Sequence, residues 1–260
     1  MGMNINIIKK NDKKEPNITK SNIVLSRNNK IPYKNLFKGV NIKKKLIIED
    51  KIKNVCFPYM KQKHSMIIFD WDDTLLPTSF LYSESILREE VKFNEIENQQ
   101  IFELENYVCL LLYKAVEKGD VYIITNSGNG WVELTAKRFY PSILPILERI
   151  TIISAREQYE KIYPDNRRQW KIDAFLHLHN LVNTNLINNI ICIGDSMLEI
   201  EAGKILASKF KEGFIKNIKF QEAPKLDELL KQLKLVYNKF ECIYSKRENL
   251  TIKLEKIKKF

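Results

Sequence analysis

Residues 66–78 read Met-Ile-Ile-Phe-Asp-Trp-Asp-Asp-Thr-Leu-Leu-Pro-Thr, and this stretch carries the strongest signal for both the fold and a functional site. Its first four residues are apolar, which predicts a buried β-strand. Asp70, Asp72 and Thr74 follow, so two carboxylates and a hydroxyl are expected where the strand ends. One carboxylate could attack an electrophile while the other transfers a proton. A solvated, aspartate-rich turn is the alternative interpretation of this motif alone.

Two further apolar runs end in polar residues later in the chain. Residues 121–125 (Val-Tyr-Ile-Ile-Thr) lead into Asn126, and residues 190–194 (Ile-Ile-Cys-Ile-Gly) lead into Asp195. Lys171 lies between these runs, at the start of an amphipathic segment. Apolar strands that alternate with helical patterns predict an α/β protein with a parallel sheet and helices on both faces. The polar groups would then meet at the carboxyl edge of the sheet, where such sheets bind ligands.

The periodicity of the apolar residues predicts the order of the elements. Strands are expected at 66–70, 121–125, 150–154, 189–193 and 214–220. Helices are expected at about 97–118, 131–140 and 226–240. Residues 246–260 form a basic tail, and one interpretation of their apolar residues is a further helix.

The order of these motifs resembles the haloacid dehalogenase (HAD) superfamily of phosphotransferases. A D-x-D-x-T motif at 70–74, an apolar run ending in Thr125, a lone Lys171, and Gly-Asp followed by Glu199 stand in the order of the four family motifs. The resemblance covers roughly residues 66–220, and the wording of the first motif is similar to an uncharacterised protozoan branch. It implies a HAD-like Rossmannoid three-layer sandwich with a central parallel sheet and no large cap domain.

The resemblance also implies a Mg²⁺-dependent phosphatase that works through a phospho-aspartate intermediate. Asp70 would be the nucleophile, and Asp72 the general acid and base. Mg²⁺ would be held by the side chains of Asp70 and Asp195 and by the backbone carbonyl of Asp72, because it prefers oxygen ligands and needs only one or two carboxylates. Glu199 would bind a metal-linked water or hold Lys171.

The remaining assignments concern the phosphoryl group. Lys171 would offset the charge on Asp70 and on the phosphoryl group, and Thr74, Thr125 and the backbone N–H of Asn126 would bind the substrate. Taken alone, Lys171 would be interpreted as a solvated residue of a basic helix start, and its place in the order of motifs favours the functional role. Only residues 76–96 remain for a flap, and such a short interval resembles the capless class of the family, whose clefts are open. The expected substrate is therefore a phosphate monoester on a macromolecule, with a phosphoprotein as one candidate.

Several polar residues near these motifs are given structural roles. Asp73 is expected to be exposed, because strand alternation points it away from Asp72. Residues 127–130 (Ser-Gly-Asn-Gly) are interpreted as an ordinary loop of small residues. His177 and His179 are two residues apart on a predicted helix and cannot share a face, which argues against a zinc site.

Basic residues are concentrated towards the start of the sequence. The chain of 260 residues has a formal net charge of +11, and residues 1–63 hold 16 Lys and Arg against 4 Asp and Glu. Residues 1–30 are interpreted as a basic, disordered arm with weak affinity for polyanions. Residues 31–63 are interpreted as an extension that packs in part on the core, 64–240 as the catalytic domain, and 241–260 as the basic tail.

Composition also bears on location and on rival functions. The sequence has no secretory signal and no apolar run of about 18 residues, so no membrane span is expected. The four cysteines follow no metal-binding or redox spacing, which favours a reducing, cytoplasmic compartment. Two rival functions stay open: a non-catalytic HAD-fold binding or scaffold protein, and a nucleic-acid end phosphatase that uses the basic arm.

Overall fold

The computed structural model describes residues 3–8, 18–21, 64–83 and 93–256. The strands within these ranges are β1 (Met3–Ile8), β2 (Ile18–Ser21), β3 (His64–Phe69), β4 (Asp120–Thr125), β5 (Thr151–Ser154), β6 (Ile187–Gly194), β7 (Phe214–Lys219) and β8 (Leu250–Lys256). The helices are α1 (Thr78–Ser83), α2 (Glu95–Val116), α3 (Trp131–Phe139), α4 (Leu144–Leu147), α5 (Ala155–Tyr159), α6 (Arg167–Leu181), α7 (Met197–Ala207) and α8 (Leu226–Ser245). A 3₁₀ turn, Pro141–Ile143, precedes α4.

The strands form one sheet in the order β2-β1-β8-β7-β6-β3-β4-β5. The six strands from β8 to β5 are all parallel, whereas β1 pairs antiparallel with both β8 and β2. This arrangement is Rossmann-like, and it confirms the predicted α/β class with a parallel central sheet. The five strands predicted from the sequence are all present.

Alternation along the central strands divides the core between the two faces of the sheet. On β3, Ile67 and Phe69 pack into one buried cluster, which also takes in residues of α2, α3 and α8. Met66 and Ile68 point to the other face and pack into a second cluster with residues of α6 and α7. Helices therefore cover both faces, as the continuous apolar runs predict.

The prediction of a further helix in the basic tail is wrong. The helix α8 continues to Ser245, and Leu250–Lys256 then form the strand β8 beside β7. Leu250, Ile252 and Leu254 are each buried, with 2–3% of their surface exposed, so the apolar period here is two rather than that of a helix.

The structure also corrects the prediction of a disordered arm over residues 1–30, as far as it describes that segment. Met3–Ile8 pair with residues 251–256 of β8, from Met3 opposite Lys256 to Ile8 opposite Thr251, and Ile18–Ser21 pair with β1 in turn. The backbone of β8 would otherwise present unpaired N–H and C=O groups, which favours addition of a strand. The prediction that residues 31–63 pack in part on the core lies outside the described residues.

None of the helices in the described ranges is long and apolar enough to cross a membrane. The longest, α2, begins with a capping box in which Asn94 Oδ1 accepts from the N–H of Glu97 and Glu97 Oε2 accepts from the N–H of Asn94. Its buried residues lie along one stripe and face the sheet. This stripe is the one that the sequence predicts.

A buried lysine lies at the amino edge of the sheet. Lys216 on β7 is 1% exposed, and its ammonium group donates to Asn189 Oδ1 and, at 3.1 Å, to the carbonyl of Tyr244. No carboxylate in the described ranges forms an ion pair with it. Burial therefore lowers the pKa of Lys216 to about 8.

This lowered pKa predicts a dependence of stability on pH. Between pH 8 and 10.5 the unfolded chain binds a proton at Lys216 that the folded chain has lost, so the free energy of unfolding of the wild type should rise with pH. The variant Lys216→Met lacks this contribution. Chemical denaturation of both proteins should show the wild type gaining stability relative to the variant across this window, and a constant difference would contradict the prediction.

Candidate active site

A salt bridge between Asp70 and Lys171 lies at the carboxyl edge of the sheet. Asp70 follows β3, and its N–H donates to the carbonyl of Ile193 on β6 at 2.9 Å. Lys171 lies on α6, and its ammonium nitrogen is 2.5 Å from Asp70 Oδ1. Both side chains are buried, with 7% of Asp70 and 1% of Lys171 exposed. The other oxygen, Asp70 Oδ2, meets only Thr74 Oγ1, at 3.4 Å, among the described residues.

Lys171 uses all three of its protons on buried oxygens. Besides Asp70 it contacts Glu199 Oε1 at 3.1 Å and the carbonyl of Ile124 at 2.6 Å. Burial alone would lower the pKa of Lys171, but the adjacent carboxylates of Asp70 and Glu199 raise it above its ordinary value. The ammonium form is therefore stabilised, and its contacts link the end of β3 to β4 and α7.

Glu199 is positioned by the start of α7. Ser196 caps the helix, and Glu199 Oε2 accepts from the Ser196 N–H at 3.1 Å and from its hydroxyl. Burial would raise the pKa of Glu199, but Lys171 and Ser196 together lower it. A Cβ on Gly194 would come within 2.4 Å of Glu199 Cγ, so only glycine at this position lets the carboxylate approach.

Both oxygens of Asp72 are held by hydrogen-bond donors. Oδ1 accepts from Thr78 Oγ1 at 2.7 Å and from Trp131 Nε1 at 2.9 Å. Oδ2 accepts from Thr125 Oγ1 at 2.8 Å and from Ser127 Oγ at 2.9 Å. Asp72 is only half-buried, so this ordered carboxylate remains accessible from solvent.

Asp73 is buried, which corrects the prediction that it is exposed. Its carboxylate accepts from the Ser79 N–H at 2.8 Å and from the Ser79 hydroxyl, and 8% of its surface is exposed. Strand alternation fails here because Asp73 lies beyond the strand and has a left-handed backbone, with φ at 56°. Burial raises its pKa, and the bonds from Ser79 act in the opposite direction.

Asp195 adds another acid at this edge of the sheet. It follows β6, and no described residue donates a hydrogen bond to its carboxylate. Burial, reinforced by Glu199 and Asp73, raises its pKa to about 7, although Lys171 acts in the opposite direction. Burial likewise raises the pKa of Asp70 well above its ordinary value, in spite of Lys171.

The predicted substrate-binding residues form hydrogen bonds with other residues of the protein. Thr125 is buried, and besides donating to Asp72 it accepts from the Ser127 N–H at 2.9 Å. Asn126 donates to the carbonyl of Arg167 at 3.3 Å, while its buried Oδ1 has no partner in the described part of the chain. Thr74 contacts Asp70, as described above.

Acidic side chains outnumber the buried cations at this edge of the sheet, within the described part of the chain. Three buried acids, Asp70, Asp73 and Glu199, lie near the partly buried Asp195, and among the described residues the buried Lys171 pairs with Asp70 and Glu199. Burial raises the pKa values of Asp70 and Asp195, and the neighbouring carboxylates raise them further. No group of three His, Cys, Asp or Glu side chains in the described ranges forms a ready-made metal cage. Since Mg²⁺ keeps several of its waters and needs only one or two carboxylates, Asp70 and Asp195 are the candidate ligands.

Several residues that contact Asp72 or Asp73 are not predicted from the sequence. Ser127 is part of the segment interpreted as an ordinary loop, yet its hydroxyl binds Asp72. The available signal was the position of Ser127, two residues beyond Thr125, which is itself a predicted site residue at the end of β4. Thr78, Ser79 and Trp131 gave no signal, because their contacts depend on how α1 and α3 pack against the end of β3.

When the chain is compared with models of protein families, with curated proteins and with solved structures, none of the three comparisons finds a match.

Proposed function

We propose that this protein is a Mg²⁺-dependent phosphatase of the HAD type, which hydrolyses a phosphate monoester through a phospho-aspartate intermediate. The contact between Lys171 and Asp70 carries the proposal, because the order of motifs predicts this pair and the two residues are 101 positions apart in the sequence. Their neighbours Asp72, Asp195 and Glu199 belong to the same predicted set.

In the proposed first step, Asp70 Oδ2 attacks phosphorus while the bond to the leaving oxygen breaks. The leaving oxygen takes a proton from Asp72. In the second step, Asp72 takes a proton from a water molecule, which attacks phosphorus and releases Asp70 and inorganic phosphate. Mg²⁺, held by Asp70 and Asp195, would supply positive charge to the phosphoryl oxygens.

The hydrogen bonds of Asp72 suit both of its proposed protonation states. Four donors stabilise the carboxylate. The hydroxyls of Thr78, Thr125 and Ser127 can also turn and accept, whereas the indole N–H of Trp131 can only donate. A proton on Asp72 is therefore best accommodated at Oδ2, whose two partners are both hydroxyls.

The short interval left for a flap leads us to propose an open cleft. Between β3 and β4 they form only α1 and α2, and α2 is used to cover the sheet. An open cleft admits a phosphate group on a large substrate such as a phosphoprotein. The non-catalytic scaffold and the nucleic-acid end phosphatase remain rivals, and no contact in the described residues favours either.

Removal of the metal should abolish activity. We expect hydrolysis of a small aryl phosphate to vanish in excess chelator and to return with Mg²⁺, while excess Ca²⁺ should inhibit because it prefers more ligands and longer bonds. The variant Asp195→Asn should need more Mg²⁺ for half-maximal rate. Titration of the rate with each metal measures all three effects. Full activity after metal removal would contradict the metal assignment, and no activity under any condition would favour the scaffold.

A further inference from the structure

Two aromatic side chains lie next to the proposed acid. Trp131 begins α3, and its Nε1 donates to Asp72 at 2.9 Å. The ring of Tyr82, on α1, is stacked on the Trp131 ring with a centroid separation of 6.4 Å and an interplanar angle of 15°. The same short helix also contacts Asp72, through Thr78. Asp72 is therefore hydrogen-bonded to both of the helices that carry the aromatic pair, α1 and α3.

Trp131 is fixed in place by the buried core. Thr135, one turn further along α3, donates to the Trp131 carbonyl at 2.7 Å and accepts from Trp71 Nε1 at 3.0 Å. Trp71 is fully buried and directly precedes Asp72 in the sequence. The indole is thus held on the same framework as the acid, and a ligand does not have to order it.

The outer part of this aromatic pair is open to solvent. Tyr82 is 52% exposed and Leu134 is 65% exposed. Leu134 lies three residues after Trp131 on α3, so the two share a face of the helix. An exposed apolar side chain by itself needs no explanation, but the exposed Tyr82 and Leu134 adjoin the half-buried Trp131, which binds the proposed acid, and the three form a surface suited to an apolar ligand.

The chemistry places the leaving group at this surface. If Asp72 protonates the leaving oxygen, as proposed above, that oxygen lies within hydrogen-bonding distance of Asp72. Trp131 donates to the other oxygen of the same carboxylate, so a group bonded to the leaving oxygen can extend to Trp131 and Tyr82. A ring bonded directly to the leaving oxygen reaches the pair at once, whereas a nucleotide would place its ribose there and its base further away.

We infer that Tyr82 and Trp131 form the binding surface for an aromatic leaving group, so that the preferred substrate is the phosphate ester of a phenol, the chemistry of a phosphotyrosine side chain. This inference rests on the proposed phosphatase function and adds a substrate class to it. Offset stacking and edge contacts between aromatic rings supply the selectivity, which should amount to roughly threefold to tenfold in kcat/KM.

The test compares phenyl phosphate with ethyl phosphate in the wild type and in variants. The ratio of their kcat/KM values includes the different reactivity of the two leaving groups, but that difference cancels when the ratio is compared between proteins. We expect Tyr82→Leu to lower this ratio roughly threefold to tenfold. Phe102→Leu is the matched control, since Phe102 is a 55% exposed aromatic residue on α2 without a role in the site, and it should leave the ratio unchanged.

Two further measurements make the result decisive. Calorimetric binding of phenylphosphonate and ethylphosphonate, which are not hydrolysed, should show the same loss of aromatic preference in Tyr82→Leu. An aromatic preference in binding without any turnover would refute the phosphatase and retain the surface. An unchanged ratio in Tyr82→Leu, in turnover and in binding, would overturn the inference and leave the phosphatase standing. An equal dependence of adenosine monophosphate hydrolysis on Tyr82 would overturn the assignment to phenol esters.

Discussion

Replacement of Asp70 by asparagine is expected to lower kcat by about 10³-fold or more, because it removes the proposed nucleophile. The substitution keeps the shape of a side chain that is 7% exposed, so no cavity is created. It also removes one of the carboxylates that share the cation of Lys171, which relieves repulsion with Glu199 and Asp195. The variant should therefore fold, and single-turnover kinetics should show no phosphorylated enzyme.

The same substitution at the opposite edge of the sheet is the matched control. Asp120 begins β4 at its amino end and is exposed, so Asp120→Asn should keep wild-type turnover. Circular dichroism and thermal unfolding of both variants separate a loss of chemistry from a loss of structure. Turnover of Asp70→Asn at the wild-type rate would refute the covalent mechanism.

The proximity of the candidate site residues at one edge of the sheet can be predicted from the sequence, because several of them lie at the ends of strands. Continuous apolar runs identify the strands that end near Asp70, Thr125 and Asp195, and parallel strands bring such ends to one edge. The contact of Lys171 with Asp70 follows from the order of motifs rather than from any local pattern. Apolar periodicity is therefore enough to predict many of the strands and helices, but not the contacts between them.

The surroundings of the site depend on tertiary packing and could not be predicted in this way. The donors Thr78 and Trp131 lie on α1 and α3, and the apolar periodicity of these helices does not predict that they contact Asp72. Asp73 departs from strand alternation because its backbone is left-handed. The short apolar run of residues 250–256 is compatible with a helix or a strand on composition alone, and its pairing with β7 and β1 makes it the strand β8.

Replacement of Lys171 by methionine should lower both activity and stability. The variant leaves the buried carboxylates of Asp70 and Glu199 without their cation, and breaking a buried ion pair in this way costs about 3–5 kcal/mol of the free energy of unfolding. Lys216→Met is the matched control, since it also replaces a buried lysine, but one without a carboxylate partner in the described ranges. Its loss of stability should be smaller, and its phosphatase activity should be unaffected.

The pH dependence of the Lys171→Met variant identifies the cause of its instability. Lys171 lowers the pKa of both Asp70 and Glu199 in the wild type, so its loss raises both values in the folded variant. The folded variant then binds more protons than its unfolded chain above the ordinary carboxylate pKa of about 4. Its stability should therefore fall relative to the wild type as the pH rises from about 5 to about 7. Denaturation of Lys171→Met at both pH values measures this change, and adding Asp70→Asn should recover part of the loss by removing one unpaired carboxylate. A deficit that is independent of pH, with no recovery in the double variant, would show that Lys171 contributes only packing and is not the counter-charge of the acid cluster.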